Sequence, residues 1–162
     1  MSGLLQILNE RVLLLDAAMG SQVQAMDLDV ENDFGGQENC TEILNRTRPD
    51  LIRGIHLASL NAGSDAVQTN SFGGSPITLG EFGLADEAFE LNKASAEIAR
   101  GAIDEVSGDG RVRYVFGSIG PGTRLPTLGQ VDYDAVEDAI AIQSAGLIAG
   151  GVDALIIETV QG

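Results

Sequence analysis

The sequence holds one cysteine, one histidine and one lysine: Cys40, His56 and Lys93. A single cysteine excludes an internal disulfide and fits a reducing cytoplasm. A zinc site needs three or four side-chain ligands, more than one cysteine and one histidine supply. Cys40, in the polar stretch Glu38-Asn39-Cys40-Thr41, is therefore not read as a metal ligand, and His56 is read as an ordinary, partly exposed helix residue. Asp27, Asp29, Glu31 and Glu38 echo the spacing of a calcium loop, yet Asn32 stands where such a loop needs glycine. No metal ligand is assigned within this chain. No stretch approaches the ~20 continuous apolar residues of a membrane span. Asn9, Glu10 and Arg11 interrupt the N-terminal apolar residues with no basic segment before them, so they do not read as a secretory signal. Positive charge is scarce as well, with 9 basic against 24 acidic residues and a net charge of −15. Such a surface repels nucleic-acid phosphates and anionic membranes. These features predict one soluble, cytoplasmic domain over residues 1–162, with neither nucleic acid nor membrane as partner.

What the chain does have is four short apolar runs, each delivering polar residues. Val12-Leu13-Leu14-Leu15 ends at Asp16, and Asp65-Ala66-Val67 leads into Gln68-Thr69-Asn70-Ser71. Tyr114-Val115-Phe116 leads into Gly117-Ser118-Ile119-Gly120-Pro121, and Ala154-Leu155-Ile156-Ile157 ends at Glu158-Thr159. Apolar runs without alternation suit strands covered on both faces, as in a parallel sheet. Parallel strands are predicted near residues 12–16, 65–70, 113–119 and 153–158.

Helical periodicity fills the intervals. Residues 49–61 place Leu51, Ile55 and Ala58 on one face, with Pro49 in the first turn and Gly63 as the stop. Residues 84–106 carry Ala88, Leu91, Ile98, Ala102 and Val106 at helical steps. Residues 134–149 repeat the pattern through Val136, Ile140 and Leu147, and a short helix starts at Pro76 behind Ser75 as cap. Two junctions are alike, Ala62-Gly63-Ser64-Asp65-Ala66-Val67 and Gly150-Gly151-Val152-Asp153-Ala154-Leu155. Repeated strand–helix units predict an α/β fold of the (β/α)8 TIM-barrel type, of which this chain covers the first four units; a whole barrel takes about 250 residues. The competing architecture is an open doubly wound sheet, whose usual fingerprint G-x-G-x-x-G is absent from Asp16-Ala17-Ala18-Met19-Gly20-Ser21.

In a parallel barrel, the groups at strand C-terminal ends face the site. Asp16 and Glu158 close two nearly pure apolar strands. Two carboxylates there act as acid and base, bind an ammonium by charge-assisted hydrogen bonds, or partner a buried network. Gln68, Thr69 and Asn70 stand at the second strand end and are read as site residues or as a polar loop.

At these residues the chain resembles a known family. Leu14-Leu15-Asp16-Ala17-Ala18-Met19-Gly20-Ser21 looks like the L-D-G-A-M-G-T opening of homocysteine S-methyltransferases. Glu38-Asn39-Cys40-Thr41-Glu42-Ile43-Leu44 with Arg48-Pro49-Asp50, and Ala62 to Asp65 through Gln68-Thr69-Asn70-Ser71-Phe72-Gly73, resemble the next two family segments. Ser118-Ile119-Gly120-Pro121 and Gly150-Gly151-Val152-Asp153 through Ile157-Glu158-Thr159 complete the order. The nearest group is the N-terminal homocysteine module of the cobalamin-dependent methionine synthases, matched over the first half of its barrel. Ala17 replaces the usual glycine, and Gly122 stands where threonine is common.

The resemblance implies methyl transfer to the thiol of homocysteine, activated as a zinc-bound thiolate, with methylcobalamin charged from methyltetrahydrofolate as donor. It implies substrate binding by Asp16, Gln68, Thr69, Asn70 and Glu158, and no catalytic residue is assigned in this half. The zinc cysteines are expected in the absent C-terminal half. The expected partners are that half-barrel and the cobalamin and folate modules. Betaine-type, S-methylmethionine-type and reductase-fused methyltransferases are the alternative enzymes, and a non-catalytic half-barrel that assembles with another chain is the alternative class.

Overall fold

Proline and glycine cut the chain into units of helix followed by strand. The computed structural model describes residues 2–16 and 18–159, so Ala17 lies outside the described residues. Their order is α1 (Ser2–Glu10), α2 (Met19–Gln24), α3 (Leu44–Thr47), α4 (Pro49–Ala62), β1 (Ala66–Gln68), α5 (Pro76–Leu79), α6 (Ala88–Val106), β2 (Tyr114–Ile119), α7 (Tyr133–Ala149) and β3 (Ala154–Ile157), with short 3-10 turns between. Pro49 opens α4, and Gly63, at φ 114°, ends it in a left-handed turn that a side chain would strain. The Ser75 side chain caps α5 by accepting the Thr78 N–H.

The strands form a parallel sheet in the order β1-β2-β3, with Val67 opposite Val115 and Gly117 opposite Leu155. The first predicted strand is reduced to a single parallel bridge, Leu15 to Ala66. The Leu14 N–H goes to the Asp65 carboxylate at 2.9 Å rather than to a backbone carbonyl, and Arg11 is drawn onto the same carboxylate by two bonds of 2.8 Å. These bonds tie the segment to Asp65 just ahead of the bridge.

Alternation along β2 separates two faces. Val115 packs with Leu60, Val67, Ala99, Ala102 and Ile103, and Ile119 packs with Ala96 and Leu147, so this face carries the helices. Each fully buried Leu or Ile there contributes about 2 kcal/mol. Phe116, on the other face, joins Leu15 and Leu8 around an open hollow beside α1. At the sheet edges Val12, Leu14 and Ile157 stay exposed, at 82%, 61% and 66%.

Helix faces differ in detail from the hydrophobic spacing. In α4 the buried residues are Ile52, Ile55, His56 and Leu60, while Ala58 is exposed. In α7 they are Ala139, Gln143, Gly146 and Leu147, and Ile140 is left partly exposed. The reason is close approach to α6. A Cβ on Gly146 would stand 2.5 Å from the Phe89 carbonyl oxygen, and one on Gly150 2.4 Å from that of Lys93. Smallness, rather than hydrophobicity, selects the contact face. The predicted 84–106 helix begins later, because residues Ala85–Glu87 form a 3-10 turn before α6. Among the described residues no helix is long and apolar enough to cross a membrane.

Candidate functional site

Beyond the C-terminal ends of the strands lies a cavity of about 320 Å³. Asp16, Gln68, Thr69, Asn70 and Glu158 all line it, joined by Glu42, Ser118 and Phe72. Parallel strands bring these residues together because all of them end their runs on the same side.

The five residues differ in what their polar atoms are free to do. Asp16 Oδ1 accepts the Gln68 backbone N–H at 2.9 Å, which fixes the first segment to β1 just below the cavity. Glu158 accepts the Ser118 hydroxyl proton. The Gln68 side-chain amide has no hydrogen-bond partner among the described residues and lines the cavity. Thr69 and Asn70 are spent on architecture instead. Thr69 Oγ1 accepts the Ser118 N–H at 3.0 Å and donates to Ser71 Oγ at 2.6 Å, whose own proton goes to the Ser118 carbonyl. Asn70 Nδ2 donates to the Thr41 carbonyl at 2.8 Å and to Asn45 Oδ1 at 3.1 Å.

Amides from three helices hold this loop from behind. Asn45 donates to the Asn70 carbonyl, Asn92 to that of Gly74, and Gln143 to that of Ser71. Gly74 cannot carry a side chain, since a Cβ would lie 2.4 Å from Asn92 Oδ1. Backbone strain gathers at the same rim. Ala18 (φ 55°) and Thr159 (φ 57°) adopt left-handed conformations two residues after Asp16 and one after Glu158. Each costs on the order of 1 kcal/mol for a non-glycine residue and marks a loop held by its surroundings.

Glu42 was not singled out by sequence reasoning. It is buried, its Oε1 accepts the Gly73 N–H at 2.7 Å, and its Oε2 accepts the Thr41 hydroxyl at 3.3 Å. Burial raises its pKa above the ordinary carboxylate value, and the Gly73 N–H offsets part of that. The available signal was an acid set directly before Ile43 and Leu44 in a segment already matched to the family. The cavity is thus lined by the carboxyl groups of Asp16, Glu42 and Glu158 and by no Lys, Arg or His side chain. That charge distribution suits a cationic group such as an ammonium.

Two expectations from sequence are corrected. Cys40 lies in no polar loop environment: it is fully buried with Ile43, Leu79, Leu84, Ala88 and Leu91. Burial there pushes its thiol up to about 11, so the thiolate is disfavoured. His56 is not partly exposed but fully buried, with Nδ1 3.8 Å from Asp16 Oδ2. The Asp29 side chain caps the Asn32 N–H of its own turn. Among the described residues no three His, Cys, Asp or Glu side chains are grouped to hold a metal ion. The chain's one cysteine lies in the apolar core and not at the cavity.

Strand–helix units in parallel array, with polar residues gathered beyond the strand ends, define an α/β fold of the kind found in many enzymes. The chain belongs to the homocysteine S-methyltransferase family, whose model matches residues 13–162. It is 47% identical to the methionine synthase of Mycobacterium tuberculosis and 45% identical to that of Mycobacterium leprae, in both cases over 158 residues. Those matches cover 98% of this chain but 13% of each relative, so the chain spans about one eighth of their length. Among solved structures, the oxidized form of the Escherichia coli homocysteine methyltransferase MmuM superposes with a TM-score of 0.76 at 25% identity, covering 97% of this chain and 56% of that one. Its metallated form gives 0.73 at 25% identity, over 96% and 56%.

Proposed function

We propose that residues 1–162 form the first four strand–helix units of a homocysteine-binding (β/α)8 barrel, within an enzyme that transfers a methyl group to the homocysteine thiol to give methionine. The observation that carries this reading is the meeting of Asp16, Gln68, Thr69, Asn70 and Glu158 on one carboxylate-rich cavity at the strand ends. Asp16 and Glu158 hold the substrate ammonium, each already steadied by one donor, the Gln68 N–H and the Ser118 hydroxyl. The free amide of Gln68 orients the remainder of the amino acid, while Thr69 and Asn70 act through the loop they shape. Val12, Leu14 and Ile157 stand exposed on the face that elsewhere carries helices, which supports completion of the barrel by further strand–helix units whose helices would cover them.

A zinc ion, when bound, supplies a low-pKa thiolate of homocysteine. We assign its ligands to the complementary half; among the described residues no three His, Cys, Asp or Glu side chains are grouped to hold a metal ion. Methylcobalamin charged from methyltetrahydrofolate is the donor we assign, carried on other modules. The identity to two methionine synthases supports that choice over betaine or S-methylmethionine. A cytoplasmic setting agrees with the single buried thiol.

Calorimetric titration of homocysteine into the protein at its natural length tests the reading. Glu158→Gln is expected to weaken binding by roughly tenfold with zinc content unchanged. Unaltered affinity would remove Glu158 from the substrate site, and loss of zinc would reassign it to the metal.

A further inference from the structure

His56 sits in α4 directly behind Asp16, and it is the one fully buried imidazole in the chain. Neither ring nitrogen has a hydrogen-bond partner among the described residues. A buried polar pair left unsatisfied is a standing cost, and an apolar residue in α4 would avoid it. The ring faces the cavity carboxylate: Nδ1 lies 3.8 Å from Asp16 Oδ2, and the Asp16 side chain is 7% exposed.

Asp16 is held on one oxygen only. Oδ1 takes the Gln68 N–H at 2.9 Å, while Oδ2 lacks a donor at bonding distance among the described residues. A carboxylate anchored by one oxygen still turns about its Cβ–Cγ bond, so its cavity-facing lone pairs are not fixed. A second donor from behind removes that freedom, and His56 is the group placed to give it. Active-site hydrogen bonds that are long without ligand tighten when the ligand loads the far side of the acceptor.

We propose that His56 is a positioning residue: as the neutral Nδ1–H tautomer it donates to Asp16 Oδ2 and fixes the carboxylate plane for a ligand ammonium. Nε2 then carries no proton and stays unpaired among the described residues. The ligand part of this inference rests on the substrate reading given above, while the pairing itself does not.

The test uses the protein at its natural length. Long-range proton–nitrogen NMR with labelled histidine identifies the His56 signal as the one absent from His56→Asn, and the ligand-free spectrum reads its tautomer. A proton on Nδ1 is the expected form; an Nε2–H tautomer with bare Nδ1 overturns the pairing. His56→Leu is expected to keep or raise the melting temperature while weakening homocysteine binding by roughly tenfold. His56→Asn, which keeps a donor near the Nδ1 position, is expected to bind within about threefold of the wild type. Wild-type affinity in His56→Leu, or equal losses in both variants, would refute the positioning role. A wild-type protein with the Nδ1–H tautomer that binds no homocysteine would instead overturn the substrate reading and leave the pairing standing.

Discussion

Asp65 and Asp153 clamp the neighbouring segment in the same way. The backbone N–H of each donates to a carbonyl of the adjacent segment, and its carboxylate accepts the N–H of the residue that owns that carbonyl. For Asp65 this residue is Leu14, at 2.8 and 2.9 Å, and for Asp153 it is Val115, at 2.8 Å both ways. Each carboxylate also takes an arginine, Arg11 for Asp65 and Arg100 for Asp153. The likeness of the two sequence junctions therefore reflects one device used twice to set register between parallel segments. Asp65 is the more buried of the two, with its side chain 6% exposed against 33%. Asp65→Ala is expected to cost about 2 kcal/mol and Asp153→Ala about half of that, because solvent screens the more exposed pair. Urea unfolding of the two variants gives the comparison, and equal losses would show that burial does not govern the clamp.

Two acids make opposite contributions to stability as pH changes. The Arg11 guanidinium holds the Asp65 carboxyl well below the usual carboxylate range, so its folded-state pKa is depressed. Its stabilisation is present above the ordinary value of about 3.9 and is lost as pH falls toward the depressed one. Glu42 is raised by burial. Its folded form favours the proton, so stability falls as pH rises from about 4.3 through the raised value. Glu42→Gln keeps an oxygen for the Gly73 N–H and removes the buried charge. The variant is expected to melt higher than the wild type at neutral pH, with the gap closing in acid. Melting curves across that range check the sign, and a gap that widens in acid would mean Glu42 is ionised at little cost.

The strands β1, β2 and β3 were legible because buried parallel strands need only a run of apolar residues, and Ala66–Gln68, Tyr114–Ile119 and Ala154–Ile157 fall inside the expected spans. The first segment was overestimated because its apolar run has the pattern of a strand, while only Leu15 bridges to Ala66. The α7 face was read in part: Leu147 is buried as its spacing predicts, but Ile140 is not, because the α6–α7 contact is decided by the absence of Cβ at Gly146 and Gly150. Around the cavity, residues at strand ends were readable from position alone. Glu42 and His56 were not, because an acid in a turn and a histidine in a helix look solvent-facing until the packing of α4 and the Gly73 turn is known.

The exposed edges carry an expectation for the 162-residue polypeptide alone. Val12, Leu14 and Ile157 present apolar side chains next to unpaired strand edges, a combination that recruits other strands. Sedimentation is expected to find self-associated species that grow with concentration. Ile157→Lys, which places a charge on the β3 edge, should shift the distribution toward monomer. A wild-type chain that stays monomeric over a wide concentration range would argue against an open edge in solution.

Gln143 offers a way to disturb the site without touching it. Its Nε2 donates to the Ser71 carbonyl at 2.6 Å from within α7, and it is fully buried and absent from the cavity lining. The bond ties α7 to the loop that follows β1, where Ser71 also donates to the Ser118 carbonyl at 2.7 Å. Gln143→Leu fills similar volume but leaves the Ser71 carbonyl one donor short, at a cost of about 1–2 kcal/mol. Because that loop carries Thr69 and Asn70 on the cavity side, its loosening should reach the ligand. Homocysteine affinity is expected to fall severalfold alongside the lower melting temperature. Hydrogen exchange should rise at the amides of residues 69–74 ahead of those in β2. A variant that loses stability evenly across the chain, with affinity intact, would show that Gln143 supports the core and not the loop.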